Sequence, residues 1–262
     1  MFYGVTGAGK THTAFGRLGH SGTQDLGVIY LTLQELMKNP ELEINISYLE
    51  IYNEVVKDLF SGEDNLLILE KNNEVHIQNL TQIQIKTMKQ VEDLVLEGNK
   101  LRKMAKTNSN EFSSRSHSII QIFVKRETEE TLVESKISFI DLAGSERLCL
   151  NESKGIRLTE GSNINKSLLA LGKVIKSLSK KSRGAFVPYR DSKLTRLLKD
   201  SLGGNTKTVL ITCVTPNSSQ IDETIHSLNY ASRAKRIKNE VTKNEFRKVN
   251  DLNLLKGYFF SS

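Results

Sequence analysis

Eight residues near the start constrain this chain more than anything else in it. Gly4-Val5-Thr6-Gly7-Ala8-Gly9-Lys10-Thr11 fits the pattern G-x-x-x-x-G-K-[ST]. Glycines at those positions let successive backbone N–H groups turn inward and form an anion-binding nest. Lys10 then reaches the terminal phosphates of a nucleotide, and the Thr11 hydroxyl takes a place on Mg²⁺. Such a loop joins a strand to a helix, so it commits the chain to an α/β architecture. A Gly-rich turn could match the letters by chance, but a full match at the start of a helical pattern makes that the weaker reading.

The remaining pattern agrees. Ile44–Tyr52 and Ser118–Val124 are rich in β-branched and aromatic residues, and Ile137–Leu142 and Thr208–Val214 are short apolar runs that read as buried strands. Helical spacing appears at Val91, Leu94, Val95 and Leu101, and again at Ile164, Leu168, Leu171, Ile175 and Leu178. A third helix carries Leu194, Leu197, Leu198 and Leu202 and stops at Gly203-Gly204. A last one runs from about Ile221 to Lys238, with Asp222 and Glu223 in its first turn and Arg233, Lys235, Arg236 and Lys238 near its end, as the helix dipole favours. The fold class expected is a P-loop NTPase-like central mixed sheet flanked by helices.

Charge is concentrated in one place. The chain nets +7, and residues 173–200 hold nine basic side chains against Asp191 and Asp200, so this stretch carries the whole excess. Lys180, Lys181 and Arg183 precede Pro188, and Arg190, Lys193 and Arg196 step by three along one stripe of a helix. A solvated helix face would read the same way, but a basic tract of this density implies an acidic partner. Only Tyr189 and Phe186 accompany these basics, which disfavours nucleic acid recognised by base stacking.

Composition excludes other classes. Two cysteines rule out a disulfide framework and suit a reducing compartment. No apolar run approaches a membrane span, the start lacks a signal-peptide pattern, and 262 residues suit one large domain. The expectation is a soluble cytoplasmic protein that needs no membrane.

Two further segments narrow the chemistry. Asp141-Leu-Ala-Gly144-Ser-Glu146 follows an apolar strand, where nucleotide-hydrolysing proteins place the acidic residue that holds Mg²⁺ through water. Asn110-Glu-Phe-Ser113-Ser114-Arg115-Ser116-His117 gathers hydroxyls and a guanidinium before another strand. Alone, the first is a common strand-end Asp and the second a Ser-rich loop. Together with the phosphate loop they are distinctive.

In combination these segments resemble the kinesin motor domain. The likeness covers nearly the whole chain: G-x-T-G-x-G-K-T-x-T at Gly4–Thr13, N-x-x-S-S-R-S-H at Asn110–His117, D-L-A-G-S-E at Asp141–Glu146 and N-I-N-K-S-L-x-A-L-G at Asn163–Gly172. V-P-Y-R-D-S-K-L-T-R-L-L at Val187–Leu198 and R-A-K-x-I-K-N at Arg233–Asn239 complete it. The wording around Tyr3–Thr13 and Gly27–Leu31 looks most like the kinesin-eight class, whose members walk to microtubule plus ends and shorten them.

The resemblance implies an ATP-hydrolysing microtubule motor with Mg²⁺ as cofactor. Lys10 and the Gly4–Gly9 amides, those of Val5, Thr6, Gly7 and Ala8 included, would cradle the phosphates, and His12 would lie against adenine. Thr11 and Ser114 would flank Mg²⁺ with Asp141 behind one of its waters, and Gly144 would offer its N–H to the γ-phosphate. Arg115 and Glu146 would pair as the two loops close and order the attacking water. Lys180, Lys181, Arg183, Arg190, Lys193 and Arg196 would meet the acidic surface of tubulin. The place of action would be the microtubule cytoskeleton of the cytoplasm, spindle included.

The match also departs from the family. It begins at the phosphate loop, without the R-x-R-P segment and the strands that kinesins carry before it. Residues 1–239 are therefore expected to be a partial motor domain from a truncated gene model or fragment, which alone aggregates or turns over little ATP. Residues 240–262 are expected to be a neck-linker-like tail without heptads, so any homodimer would form through other segments. The competing function is a microtubule-binding module that lacks turnover and motility; a GTPase or myosin-like motor fits the three motifs less well.

Overall fold

A computed structural model describes residues 1–17, 25–71, 74–104, 115–146, 156–180 and 186–247. The chain enters on β1 (Phe2–Tyr3) and passes through the phosphate loop into α1 (Lys10–Phe15) and then α2 (Val28–Leu36). β2 (Leu42–Tyr52) and β3 (Val55–Asp58) form a hairpin whose two turn residues, Asn53 and Glu54, have φ of 50° and 62°. A two-residue turn with both φ positive matches the right-handed twist of its strands. β4 (Ile68–Lys71) and β5 (Glu74–Ile77) pair with each other as a small separate sheet, followed by β6 (Ile83–Gln84) and α3 (Met88–Met104). β7 (His117–Glu127), β8 (Thr131–Asp141), α4 (Ile156–Ser179), α5 (Lys193–Leu197), α6 (Lys199–Gly203), β9 (Ile211–Thr212), α7 (Ile221–Ala234) and β10 (Glu245–Arg247) complete the order.

The main sheet runs β3-β2-β7-β8-β1-β9. β2, β7 and β8 pair antiparallel over long registers, from Leu42↔Arg126 to Ile51↔His117 and from Ser118↔Asp141 to Glu127↔Leu132. β1 lies parallel between β8 and β9, with Phe2 opposite both Asp141 and Ile211. Mixed pairing follows from connectivity: hairpins give antiparallel neighbours, and the strand feeding the phosphate loop enters parallel. The sheet is covered on both faces. Ile119 of β7 packs with Leu171, Val174, Ile175 and Leu194, whereas Ile120 and Ile122 pack with Tyr30, Leu33, Val91 and Val95. Alternate residues of one strand thus serve opposite cores, as the pleat requires.

Beneath the second core lies a buried ion pair. Arg102 of α3 donates from Nε to Glu50 Oε1 of β2 at 2.9 Å and from a terminal nitrogen to Ser116 Oγ at 2.8 Å. Arg102 is 6% exposed and Glu50 2%.

Several expected elements shift. The helix through Leu194–Leu202 bends at Leu198 (φ −85°, ψ 5°) into α5 and α6, while the Leu198 N–H to Leu194 and Leu202 N–H to Leu198 bonds run through the bend. Arg190 is not on that helix. It sits in a 3₁₀ turn at Tyr189–Asp191, because Ser192 is extended and caps α5 reciprocally with Thr195. The last helix ends at Ala234, four residues before Lys238. The 208–214 strand contracts to Ile211–Thr212, and β8 is longer than its apolar core, with half-exposed residues from Ile137 to Phe139. β8 takes its length from its ladder with β7, and a groove of about 610 Å³, lined by Ser135–Ile140 and Lys207–Val209 among others, lies beside the two-residue β1. Thr208 and Val209 lie outside the strand, and Val209 O accepts from the Met1 amino group at 2.9 Å.

Candidate nucleotide site and basic face

The phosphate loop is held from three sides. Cys213 N–H donates to Tyr3 O at 2.8 Å, Leu142 N–H to Phe2 O at 3.3 Å and Ser145 N–H to Gly4 O at 3.1 Å. A side chain at position 4 would overlap the Cys213 carbonyl, so glycine is required by close approach. Gly9 caps α1 with φ 94°, the left-handed conformation that aims the following amides into the loop. Lys10 is buried and donates from Nζ to Gly4 O and Val5 O, both at 2.9 Å. Burial lowers its pKa, and the Asp141 and Glu146 carboxylates oppose that shift. Thr6, Thr11 and His12 are exposed at the loop mouth and along α1.

Opposite Thr11 stands Asp141, at the end of β8. Thr11 Oγ1 donates to Asp141 Oδ2 at 2.6 Å. The other oxygen, Oδ1, is buried and has no hydrogen-bond partner among the described residues. Burial raises the Asp141 pKa, while Thr11, Arg102 and Lys10 pull it down. A hydroxyl and an orphaned carboxylate oxygen at a phosphate loop fit a hydrated divalent cation, whose waters would satisfy Oδ1. Thr11 and Asp141 are the residues that would hold Mg²⁺; Ser114 and the preceding Asn110–Ser113 lie outside the described residues.

Glu146 closes the site. Its carboxylate accepts from the Thr6 N–H at 2.9 Å and from the Thr6 hydroxyl, which ties the Asp141–Glu146 segment to the loop. Gly144 is buried beside this contact, and a Cβ there would collide with the Glu146 carboxylate and Thr6 Oγ1. Arg115 is half-buried two residues before β7. The fold places Lys10, Thr11, Asp141, Gly144 and Glu146 together around the loop.

The basic tract is split. Arg190, Lys193 and Arg196 line one cavity of about 540 Å³ with Lys166, Glu54, Asp191 and Ser192. Their meeting depends on the β2–β3 hairpin, because Glu54 Oε2 accepts the Lys193 N–H at 2.9 Å and seats the hairpin tip on α5. Lys180 is exposed at the end of α4; Lys181 and Arg183 lie outside the described residues.

Comparison with known proteins agrees with this geometry. Residues 1–237 match the kinesin motor domain. The chain belongs to the kinesin motor family. It is 45% identical to "Kinesin-like protein KIP3" of Saccharomyces cerevisiae over 93% of this chain and 32% of that protein. It is 44% identical to "Kinesin-like protein KIF18A" of Mus musculus over 92% of this chain and 28% of that protein. Both are kinesin-eight members, the class that the loop wording pointed to. The chain spans about a third or less of the length of these relatives. Among solved structures, a fast kinesin superposes with a TM-score of 0.84 at 36% identity, covering 96% of this chain and 74% of that one.

Within this kinesin domain, sequence reading missed the residues that join site to scaffold. Tyr3 stacks on Tyr230 of α7 with ring centroids 4.1 Å apart and planes 6° apart, and Ser145 Oγ lies 3.4 Å from Ser227 Oγ of the same helix. Beyond α7, Asn239 donates to Thr206 O at 2.9 Å, Thr242 N–H donates to Asn205 Oδ1 at 2.7 Å, and β10 pairs with β8. The described part of the expected tail thus lies against the domain. No spacing signals such contacts, because their partners are separated by scores to hundreds of residues.

His117 is buried near the site, and burial, with Arg102 and Lys10 nearby, pushes its pKa down to about 3 from 6.5. The unfolded chain then takes the proton first as pH falls. Stability from this group is complete above pH 6.5 and is lost as pH falls from 6.5 towards 3. The slope is about 1.4 kcal/mol per pH unit inside the window, or ~2 kcal/mol by about pH 5. Urea unfolding of wild type and His117→Gln near neutrality and near pH 5 checks this. The variant should lose about 2 kcal/mol less between the two conditions, and equal losses refute the prediction.

Proposed function

We propose that this chain is the nucleotide-driven core of a microtubule motor, hydrolysing ATP and using the state of two loops to set its grip on tubulin. The observation that carries this reading is the joint at the loop mouth: Asp141 on Thr11 and Glu146 on Thr6, with Gly144 between them. A segment that touches the phosphate loop at two points will feel whatever phosphate the loop holds. Mg²⁺, when bound, supplies charge stabilisation for the transferred phosphoryl group. The chain's own groups do the rest. Lys10 and the loop amides bind and orient the phosphates, Gly144 N–H is positioned for the outermost one, and Arg115 with Glu146 orders the attacking water. His12, exposed on α1, is assigned to the base.

Loops that alternate between open and closed need differential binding of about 5.5 kcal/mol to switch from 1:99 to 99:1. An amide bond to phosphate, a hydroxyl on Mg²⁺ and a closed Arg–Glu pair together reach that order. The basic cavity of Lys166, Arg190, Lys193 and Arg196, with Lys180 and the tract that follows it, is the tubulin-facing surface. Its individual ion pairs contribute about 0–1 kcal/mol each, so they steer encounter and make binding salt-sensitive. Residues 1–239 are assigned as motor domain and 240–262 as neck-linker-like tail.

ATP turnover by the chain with and without microtubules tests the reading; stimulation by polymer supports it. Gly144→Ala should lower stimulated turnover about 10²-fold or more, because the methyl group expels Glu146 from Thr6. Turnover within about twofold of wild type would remove the joint from the mechanism. The second reading, a tubulin-binding module without turnover, rests on the basic cavity alone. It predicts salt-sensitive co-pelleting with polymer and no ATP hydrolysis.

A further inference from the structure

His117 opens β7 two residues after Arg115, and it is 2% exposed. Its Nδ1 accepts the backbone N–H of Ala143 at 3.0 Å. An amide N–H can only donate, so Nδ1 is the acceptor and the ring proton sits on Nε2. Nε2 therefore donates to Ser167 Oγ at 2.8 Å, and Ser167 is a 3% exposed residue of α4. One imidazole bonds the strand after Arg115, the loop that carries Asp141 and Glu146, and a helix at the basic face. The neighbouring Lys166 lines the basic cavity, and Lys173, two turns on, pairs with Asp191 at 3.2 Å.

We propose that His117 and Ser167 are the positioning pair through which the Asp141–Glu146 loop sets the stance of α4 at the tubulin-facing side. This rests on the motor reading above. Leaving a buried donor or acceptor unpaired is more costly than moving its partner, so a shift of Ala143 pulls the ring, and the ring pulls Ser167. The linkage works because it does not titrate: the imidazole stays neutral in one tautomer throughout the physiological range. It is mechanical rather than catalytic, since neither side chain is placed on the phosphates or the cation.

Ser167→Ala removes the acceptor on α4 and leaves every residue of the phosphate loop and every basic residue unchanged. In the full 262-residue chain, ADP affinity should stay within about twofold of wild type. The ratio of microtubule affinities under a non-hydrolysable ATP analogue and under ADP should fall about fivefold or more, towards one. Ser167→Thr, which keeps the hydroxyl, should restore the ratio. An unchanged ratio in Ser167→Ala overturns the proposal. A second measurement separates this failure from failure of the motor reading. Ring ¹⁵N signals of His117 should report the Nε2–H tautomer and shift when the analogue replaces ADP, without microtubules present. If wild type shows no nucleotide-dependent grip, the motor reading falls. If the ring signals show the other tautomer or ignore the nucleotide, the pair falls whatever the grip does.

Discussion

Lys10→Ala is expected to abolish measurable nucleotide-driven turnover, with a loss of about 10²–10³-fold or more in kcat/KM. The argument starts from burial. Lys10 is held at the base of the loop with Nζ 2.9 Å from two loop carbonyls, in a site where burial already disfavours its charge. A cation kept under those conditions attracts an anion far more strongly than one in water, because little solvent screens it. Arginine should not rescue the function. Its planar fork cannot occupy the position where one nitrogen meets both Gly4 O and Val5 O. Binding of a fluorescent ADP and steady-state ATP turnover check the prediction, with a thermal melt run alongside to confirm a cooperative fold. Wild-type ADP affinity in Lys10→Ala would break the assignment of the phosphate site.

The largest effect on stability is expected at Arg102. Arg102→Met leaves Glu50 charged and buried and strips Ser116 of its donor, at a cost of about 3–5 kcal/mol. The double variant Arg102→Met with Glu50→Leu should recover most of that, since it removes the stranded carboxylate as well. A shift in urea midpoint reads both, and the double-mutant cycle gives the coupling. A single-variant loss below about 1 kcal/mol would mean that the pair behaves as a surface pair. The position of the pair gives it a second consequence. Ser116 lies between Arg115 and His117, so the ion pair anchors the segment from which both side chains reach the site.

The legible part of this protein was legible because its chemistry is local. Gly4–Thr11 and Asp141–Glu146 are short contiguous motifs, and the β-branched and aromatic runs Ile44–Tyr52 and Ser118–Val124 marked β2 and β7 to within two or three residues at each end. The helix through Leu194 was read too simply, because its leucine spacing is continuous across a bend that the buried Leu194, Leu198 and Leu202 tolerate. Arg190 was placed on a helix by its three-residue step, but the cap at Ser192 overrides spacing. The three-residue step of Arg190, Lys193 and Arg196 predicts a helix stripe, whereas the structure lines a cavity with them whose second wall, Glu54 with Lys166, belongs to segments far away in the chain.

Sequence alone determined the Gly4–Thr11 loop motif, the charge of one stretch and the α/β class, because backbone conformation, charge and periodicity act over one to eight residues. Tertiary structure decided which distant groups meet: Glu146 on Thr6, Ala143 and Ser167 on His117, Arg102 on Glu50, Tyr3 on Tyr230. Those contacts arise when a two-sided sheet brings its strand ends and helices together, and buried polar groups then take whichever partner the packing leaves within reach.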